Sequence, residues 1–347
     1  MQELLGRLRA LDPNASQGLR VIACFDELMA GRVGTDGLLS AAAALAGSPV
    51  GMRRGARSPV VRVGPDGRRL EAPSSLPPEL STDDLQVWIE RGEQSPGFND
   101  AIILERLALS LRVRFDESPT PAPRDLALVF DDAVEPAVRH AAATRRGLAS
   151  GVMLRAIVAP LFAVWRLRPS GPEDVVATDF GPVHVAVVSA SAEVAASPLG
   201  VGIAVERDDL ALSFRTALLA LRLADSAPDG ISRADELGVL AETLADRPIR
   251  PRMDADEAAV ARLADHAWGL PTLDALVRST SVRDAARIVG VHHSTMSARI
   301  DTITAEFGFS PLDGWARTRA AVALLRWRVR TSRVLDLPAP ASTPARA

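Results

Sequence analysis

Apolar residues at helical spacing predict two short helices separated by a turn in the last third of the chain. Val282, Ala285, Ala286 and Val289 fall at i, i+3, i+4 and i+7 and form one narrow apolar stripe. Gly290 follows the stripe directly, and glycine suits the left-handed conformation that ends a helix. The pattern therefore predicts a first helix of small residues that packs closely on a neighbour and ends at this glycine.

A second helix is predicted from His293 to Phe307, with Val291 placed to fill the angle between the two helices. Its apolar positions are spaced four, three and four residues apart and are Met296, Ile300, Ile303 and Phe307. The same spacing turns four polar residues outward, namely His293, Ser294, Ser297 and Asp301. Two short helices joined by a glycine turn are typical of a helix-turn-helix, so this polar face is the one that a DNA duplex would meet.

The region around these helices is also predicted to be helical. Segments 254–268, 272–279 and 314–333 have helical patterns, and no strand pattern lies between them. An all-helical domain is therefore expected over 252–335. A tail rich in proline and alanine, 336–347, follows it and is expected to be disordered.

The first 117 residues predict a compact mixed domain. A small-residue helix is expected at 37–46, a strand at 49–52, and a hairpin formed by 60–63 and 68–71 around the turn 64–67. After a proline-rich loop over 72–82, the segment 98–115 predicts a helix with a wide apolar face. Packing of this helix on a sheet is favoured over packing on its twin in a dimer. Alternating prolines mark 118–123 as a linker.

A second mixed domain is predicted over 124–251. The expected elements are a helix at 136–150, strands at 152–163 and 199–205, and a hairpin of 175–178 and 183–189 around 179–182. A strongly amphipathic helix is expected over 208–225, with Asp208 or Asp209 as its cap. This domain is therefore α+β with a small sheet.

Composition describes an ordinary globular protein. The 347 residues are 47% hydrophobic and 24% charged, with a formal net charge of -3, and the chain contains no lysine. The single Cys24 excludes an internal disulfide and a cysteine metal site, and it is interpreted as a small apolar filler in a reduced, cytoplasmic protein. Neither a signal peptide in 1–20 nor a membrane span is expected.

Charge is unevenly distributed and favours a nucleic-acid partner at the C-terminal end. From 252 to 333 the chain has twelve arginines against nine acidic residues, an excess of three positive charges. Six of these arginines have no acid among them: Arg317, Arg319, Arg326, Arg328, Arg330 and Arg333. They predict either a helix lying along a phosphate backbone or an ordinary solvated face.

Three stretches together resemble the PucR/CdaR family of bacterial transcription regulators. They are the C-terminal pattern from Ala285 to Ile300 with the loop 308–313 and the closing helix, the strand and helix over 199–224, and, more weakly, 37–52. The resemblance implies an α+β multidomain protein with a GAF-like α/β sensor over 1–117 and a degenerate, small α+β GGDEF-like domain over 124–251. It also implies that 252–335 is an all-α helix-turn-helix domain that binds DNA.

The predicted DNA-binding residues are polar residues that face outward on the two helices, together with residues at positions that match the family pattern. They are Arg283, Arg287, His292, His293, Ser294, Thr295, Ser297 and Arg299. His293, Ser294 and Ser297 are expected near base edges, whereas Arg283, Arg287 and Thr295 are expected near phosphates. His292, which enters the second helix, can satisfy free backbone donors there or contact phosphate.

The second helix also departs from the family pattern. The family commonly has Arg, Asn, Arg and Tyr at the positions that here are His293, Ser294, Ser297 and Ala298, while His292, Thr295 and Arg299 agree with it. Two cationic contacts are thereby lost. A single domain should therefore bind double-stranded DNA weakly, so we expect a homodimer on two half-sites, controlled by an unidentified small molecule or partner at the front domains.

No catalytic, cofactor or metal site is predicted. Active GGDEF domains make cyclic dinucleotides with acidic groups at the hairpin, but here Asp179 stands alone and Pro182 departs from the motif. The five histidines are scattered or, at 292 and 293, point about 100° apart on a helix. Two alternatives to DNA binding stay open: a protein-interaction or dimerisation module that has lost DNA binding and, ranked below it, a nucleotide enzyme.

Overall fold

The computed structural model of this chain describes residues 13–55, 58–72, 84–93, 95–117, 124–227, 229–246 and 252–336. These residues form a mixed α+β protein with several sheets and a helical C-terminal region, and they pack into two compact units. The first unit takes in the described residues up to Glu242 and resumes at Val334, and the second runs from Thr243 to Arg333. The predicted linker 118–123, most of the loop 72–82 and the tail after Asp336 lie outside the described residues.

The first unit begins with three helices packed on a four-stranded antiparallel sheet. The helices are α1 (Pro13–Ala30), α2 (Thr35–Ala46) and α3 (Asp100–Glu117), and the strands are β1 (Val50–Arg54), β2 (Val61–Val63), β3 (Arg69–Leu70) and β4 (Leu85–Ile89). The strand order is β3-β2-β1-β4. The predicted hairpin of β2 and β3 and the predicted helices α2 and α3 are confirmed. Ile103, Leu107 and Leu111 of α3 repeat every four residues and are fully buried, which confirms packing within the fold.

The remainder of the first unit is built on a second, five-stranded sheet. Its helices are α4 (Asp125–Val129), α5 (Pro136–Arg145), α6 (Leu210–Leu223) and α7 (Val239–Ala245), the last of which crosses into the second unit. Its strands are β5 (Leu154–Ala159), β6 (Val164–Leu167), β7 (Glu173–Thr178), β8 (Gly181–Ser189), β9 (Ala195–Ser197), β10 (Leu199–Val201) and β11 (Ile231–Arg233). The order is β11-β10-β5-β8-β7, with β10 and β11 parallel and the other neighbours antiparallel, while β6 and β9 form a separate pair.

Helix α6 lies against this sheet at backbone contact distance. A Cβ atom placed on Gly200 would lie 2.2 Å from the carbonyl oxygen of Ala217, and one on Gly202 would lie 2.1 Å from that of Ser213. Only glycine permits so close an approach of helix and strand. The two glycines of the Gly-Val-Gly run therefore serve helix packing in this fold.

Several predicted elements differ from the observed ones. Asp209 precedes α6 without any capping hydrogen bond from its side chain, so the predicted cap at Asp208 or Asp209 is wrong; a 3₁₀ turn leads into the helix instead. Helix α5 ends at Arg145 and not at 150, because Gly147 adopts a φ of 69° just beyond its end. The predicted strand 152–163 is limited to β5, and the strand expected at 199–205 ends at Val201.

The second unit consists of five helices around one apolar core. They are α8 (Ala255–Ala264), α9 (Gly269–Arg278), α10 (Val282–Ile288), α11 (His293–Phe307) and α12 (Gly314–Thr331). The described residues from 252 to 336 contain no strand, as the sequence predicts. The fully buried core includes Val260, Leu263, Leu273, Met296 and Ile303. Across all the described ranges, no helix has both the length and the apolarity needed to cross a membrane.

Candidate nucleic-acid interface

Helix α10 and the turn after it are fixed by local features of the sequence. The hydroxyl of Ser281 accepts a hydrogen bond from the backbone N–H of Asp284 at 3.1 Å and so caps α10. Ala285 and Ala286 are buried, as the small-residue stripe predicts. Gly290 has a φ of 69°, and a Cβ there would contact nothing within 4 Å. The predicted left-handed glycine is thus confirmed, and its role is conformational and not one of close packing.

Helix α11 starts at a histidine cap. Nδ1 of His292 accepts the backbone N–H of Ser294 at 3.3 Å and lies 2.9 Å from the hydroxyl oxygen of the same serine. The predicted role of this histidine in satisfying a free backbone donor is confirmed. The predicted core face is confirmed too, because the residues that contact the core are Met296, Ile300, Ile303 and Phe307.

The outward surface of α10 and the first turns of α11 is polar and accessible. Six of the predicted DNA-binding residues are exposed there: Arg283, Arg287, His292, His293, Ser294 and Thr295. Nη2 of Arg287 lies 2.7 Å from a carboxylate oxygen of Asp284, but its side chain is 79% exposed, so the cation stays available to a phosphate. Ser297 is half-buried, and its hydroxyl donates to the carbonyl of His293 at 3.1 Å.

Arg299, the remaining predicted site residue, is engaged inside the unit. Its guanidinium carbon lies 5.2 Å from the ring centre of Trp268, and Nη1 donates to the hydroxyl of Thr272 at 3.1 Å. His266 stacks on the same tryptophan with ring centres 5.2 Å apart. These contacts attach α11 to the start of α9, so Arg299 holds the helix in place.

The arginines of α12 are paired with acidic side chains of neighbouring helices. The pairs are Arg319 with Asp256, Arg326 with Asp254 and Glu257, Arg328 with Asp274, and Arg330 with Glu257, at nitrogen to oxygen distances of 2.6–2.8 Å. Arg317 donates to the carbonyl of Ser279 at 3.1 Å. Contact of α12 with a phosphate backbone stays a prediction, because an ion pair does not exclude it where the side chain is exposed, as that of Arg319 is at 57%. Four of these arginines have acidic partners within the unit, whereas Arg317 contacts a neutral carbonyl. The sequence pattern of α12 alone does not reveal these partners.

The N-terminus of α8 is the centre of this ion-pair network. Asp254 caps the helix by accepting the backbone N–H of Glu257 at 2.9 Å. Burial alone would raise the pKa of Asp254, but that hydrogen bond and the nearby Arg326 outweigh burial and hold the pKa of this carboxyl below its usual range. Glu257 is only 1% exposed and is contacted by both Arg326 and Arg330.

Each of the other three histidines contacts a neighbouring side chain: His140 and His184 in the first unit, and His266 in the second. His140 contacts Arg207 at 2.9 Å, His184 lies 2.7 Å from the carboxylate of Glu173, and His266 stacks as described. Among the described residues, no group of three or more His, Cys, Asp or Glu side chains is arranged to hold a metal ion.

Two other sequence candidates for chemistry lie in the first unit. Asp179, in the turn between β7 and β8, is exposed and lies 2.7 Å from Nη2 of Arg68. Cys24 lies on α1 and is buried in the apolar core of the first unit, and burial raises the pKa of its thiol to about 12. Such a thiol stays protonated at neutral pH, in agreement with its interpretation as an apolar filler.

Comparisons with known proteins do not identify a family for this chain. The sequence matches no protein-family model and no curated protein. One solved structure that the chain resembles is the regulator of polyketide synthase expression from Bifidobacterium adolescentis, at 14% identity and a TM-score of 0.24. The alignment covers 60% of this chain and 97% of that one. At so low a score, nothing about this chain follows from the likeness.

Proposed function

We propose that this chain is a DNA-binding transcription regulator whose α10 and α11 form a helix-turn-helix. The observation that carries the proposal is the exposed polar start of α11, where His293, Ser294 and Thr295 project from a helix fixed to a rigid core. The N-terminal residues of the second helix are those that meet base edges when a helix-turn-helix docks in a major groove. Because the chain turns sharply at Gly290, the start of α11 is exposed on the surface of the second unit.

The exposed residues divide into two roles in this proposal. His293 and Ser294 read base edges, because hydroxyl and imidazole groups can both donate and accept there, and the half-buried Ser297 would have to release its bond to the His293 carbonyl to donate to a base. Arg283 and Arg287 neutralise phosphates, and Thr295 and His292 add hydrogen bonds to the backbone of the duplex. Arg299 supports α11 from behind through Trp268.

Few cations face the duplex, so each unit binds weakly and a homodimer on two half-sites supplies the affinity. Two arginines per subunit give about four neutralised phosphates per dimer and a slope of log affinity against log salt of about −4. The first unit, with its GAF-like and degenerate GGDEF-like parts, receives a small-molecule effector in this scheme. The resemblance to the PucR/CdaR pattern supports this division, and a regulator of this kind acts in the cytoplasm without catalysis.

Fluorescence anisotropy of the full chain tests the proposal. The probe is duplex DNA from upstream of the chain's own gene, titrated at several salt concentrations. We expect Ser294→Glu to weaken binding by about 10- to 100-fold, because it places a negative charge in the groove. The fold should survive, since an acidic residue in the first turn of a helix is favourable. Thr318→Glu on exposed α12 is the matched control and should leave binding unchanged.

A different function is favoured if folded protein binds duplex without salt dependence, or does not bind it. The second candidate is a protein-interaction module. The observation in its favour is Trp315 at the start of α12, which is 87% exposed, together with Ile288, which is 55% exposed at the end of α10. A protein partner that covered either side chain would remove its apolar surface from water.

A further inference from the structure

The first unit contains a cavity of about 400 Å³ with an unusual number of arginines in its wall. It lies where the loop between α1 and α2 approaches α3, α5 and the start of β7. The charged side chains in its wall are Arg32, Arg114, Arg145, Arg146, Glu117 and Glu173. Its volume is in the range of small-molecule sites, about 300–1,000 Å³, and exceeds what a single phosphate or carboxylate group needs.

The two acidic groups in the wall are already balanced by cations. Glu173 is buried and is contacted by Arg168 at 3.0 Å and by His184 at 2.7 Å. Glu117 lies 2.7 Å from Arg114, which also donates to two backbone carbonyls at the end of α1. The electrostatic character of the cavity is therefore set by the other arginines.

Arg146 and Arg32 are the arginines with donors to spare. Arg146 donates through Nη2 to the carbonyl of Glu173 at 2.8 Å, while its Nε is shielded from solvent and has no partner among the described residues. Because solvent does not reach this Nε, an anion in the open cavity meets the charge of the guanidinium and not this donor. Arg32 is largely exposed, and its closest carboxylate, Glu117, is 3.9 Å away.

The start of α2 adds partial positive charge to the same wall. Gly34 occupies the cap position of α2 without a side chain to satisfy the first backbone N–H groups, and Thr35 follows in the cavity wall. The helix dipole favours an anion at such a terminus, and the carboxylate of Asp36 in the same turn is already paired with Arg69 and Arg124. Here the terminus stands beside a separate, independent cluster of guanidinium groups.

Arg32 also adopts a backbone conformation that glycine would adopt more easily. Its φ is 56°, and it is the non-glycine residue with positive φ in the described part of the chain. An L-residue in this region is strained, so a glycine here would relax the backbone. Arginine therefore stands at a position that glycine would occupy with less backbone strain.

We propose that this cavity binds a small anionic metabolite through a carboxylate or phosphate group held by Arg146, Arg32 and the N-terminus of α2. As the effector site of a regulator, the assignment rests on the proposed function. The binding itself does not, because all the groups involved belong to the first unit. An anion in this cavity would connect the α1–α2 loop to α5 and β7.

The test measures anion binding to the full chain in the absence of DNA. Thermal unfolding is followed while inorganic phosphate or citrate is added, with sodium chloride at equal ionic strength as the reference. We expect at least one of the two anions to raise the melting temperature more than chloride does, and by more in the original protein than in Arg146→Gln, because both anions also stabilise proteins without binding. A response to phosphate alone assigns phosphate-bearing ligands, and a response to citrate alone assigns carboxylates.

Three variants make the assignment specific. Arg146→Gln and Arg32→Gly should each weaken the anion response about tenfold or more, because each removes a charge-assisted hydrogen bond. Arg32→Gly should not melt at a lower temperature than the original protein, so its loss of binding does not reflect unfolding. Arg233→Gln, at an exposed arginine of β11, is the matched control. The proposal is overturned if neither anion exceeds chloride, or if Arg146→Gln responds as the original does; failure of DNA binding leaves this result unaffected.

Discussion

Glu257 and Arg330 form a buried ion pair, with 2.7 Å between a carboxylate oxygen and a guanidinium nitrogen. Glu257 lies at the start of α8 and is 1% exposed, whereas Arg330 lies at the end of α12. The pair joins two helices that are far apart in sequence. The pair shows that at least one arginine of α12 stabilises the fold of the second unit.

Glu257→Gln should therefore destabilise the second unit strongly. The substitution removes the carboxylate charge that contacts both Arg326 and Arg330, and removing one partner of a buried pair costs about 3–5 kcal/mol. Urea unfolding followed by circular dichroism measures the change. Glu306→Gln, which breaks the more exposed pair with Arg262, is the comparison and should cost less than about 1 kcal/mol. Equal effects of the two variants would contradict this role.

Asp254 gives the second unit a defined sensitivity to acid. Its pKa is lower in the folded chain than in the unfolded chain, so its contribution to stability is complete above the ordinary Asp value of about 3.9. The contribution is lost as the pH falls from there through the folded pKa. Asp254→Asn keeps a capping oxygen but cannot titrate, so its stability should vary less with pH in this interval. Urea unfolding between about pH 5 and pH 2.5 compares the two proteins.

Gly290→Ala should destabilise the chain without any steric clash. Alanine at a φ of 69° is strained by about 1–2 kcal/mol, whereas a Cβ at this position contacts nothing. Gly290→Asn should cost less, because asparagine tolerates the left-handed region better than alanine does. Thermal unfolding ranks the three proteins. An alanine variant as stable as the original would show that the turn relaxes to another conformation.

The hairpin of β7 and β8 should not support nucleotide cyclisation. Asp179 is paired with Arg68, and one carboxylate is too few to hold the metal ions that such chemistry needs. We expect no cyclic dinucleotide when purified protein is incubated with GTP and Mg²⁺, and none when Arg68→Gln releases the carboxylate. Chromatography of the products against a cyclic dinucleotide standard is the measurement, and any product would identify the chain as an enzyme.

The sequence predicted the elements whose signals are local. Helix α11 was predicted from His293 to Phe307, as observed, because its apolar spacing, its cap and its flanking Gly308 all lie within one stretch. Helix α1 was missed, although it is long. Gly18 lies inside it, and a Cβ there would lie 2.9 Å from the side chain of Ile102. The glycine weakens the sequence pattern of the helix, and it lies where the end of the Ile102 side chain of α3 comes close.

Elements and contacts that depend on distant partners could not be predicted. Strand β6 is mostly exposed, so it lacks an alternating pattern, and it exists through its pairing with β9. The partners of Arg328 and Arg330 lie on α9 and α8, more than fifty residues earlier in the chain. The sequence alone does not distinguish an arginine that binds a phosphate from one that binds a buried glutamate, because the difference depends on how the helices are arranged.

The exposure of Trp315 gives the second unit a built-in optical reporter. Of the five tryptophans, Trp88 is buried and the others except Trp315 are half-buried. Iodide in solution should therefore quench the emission of Trp315 preferentially. If a duplex or another protein covers the start of α12, the quenched fraction should fall, and Trp315→Phe should abolish that difference. The indole thus distinguishes binding at this end of the unit from binding at α11 without an added label.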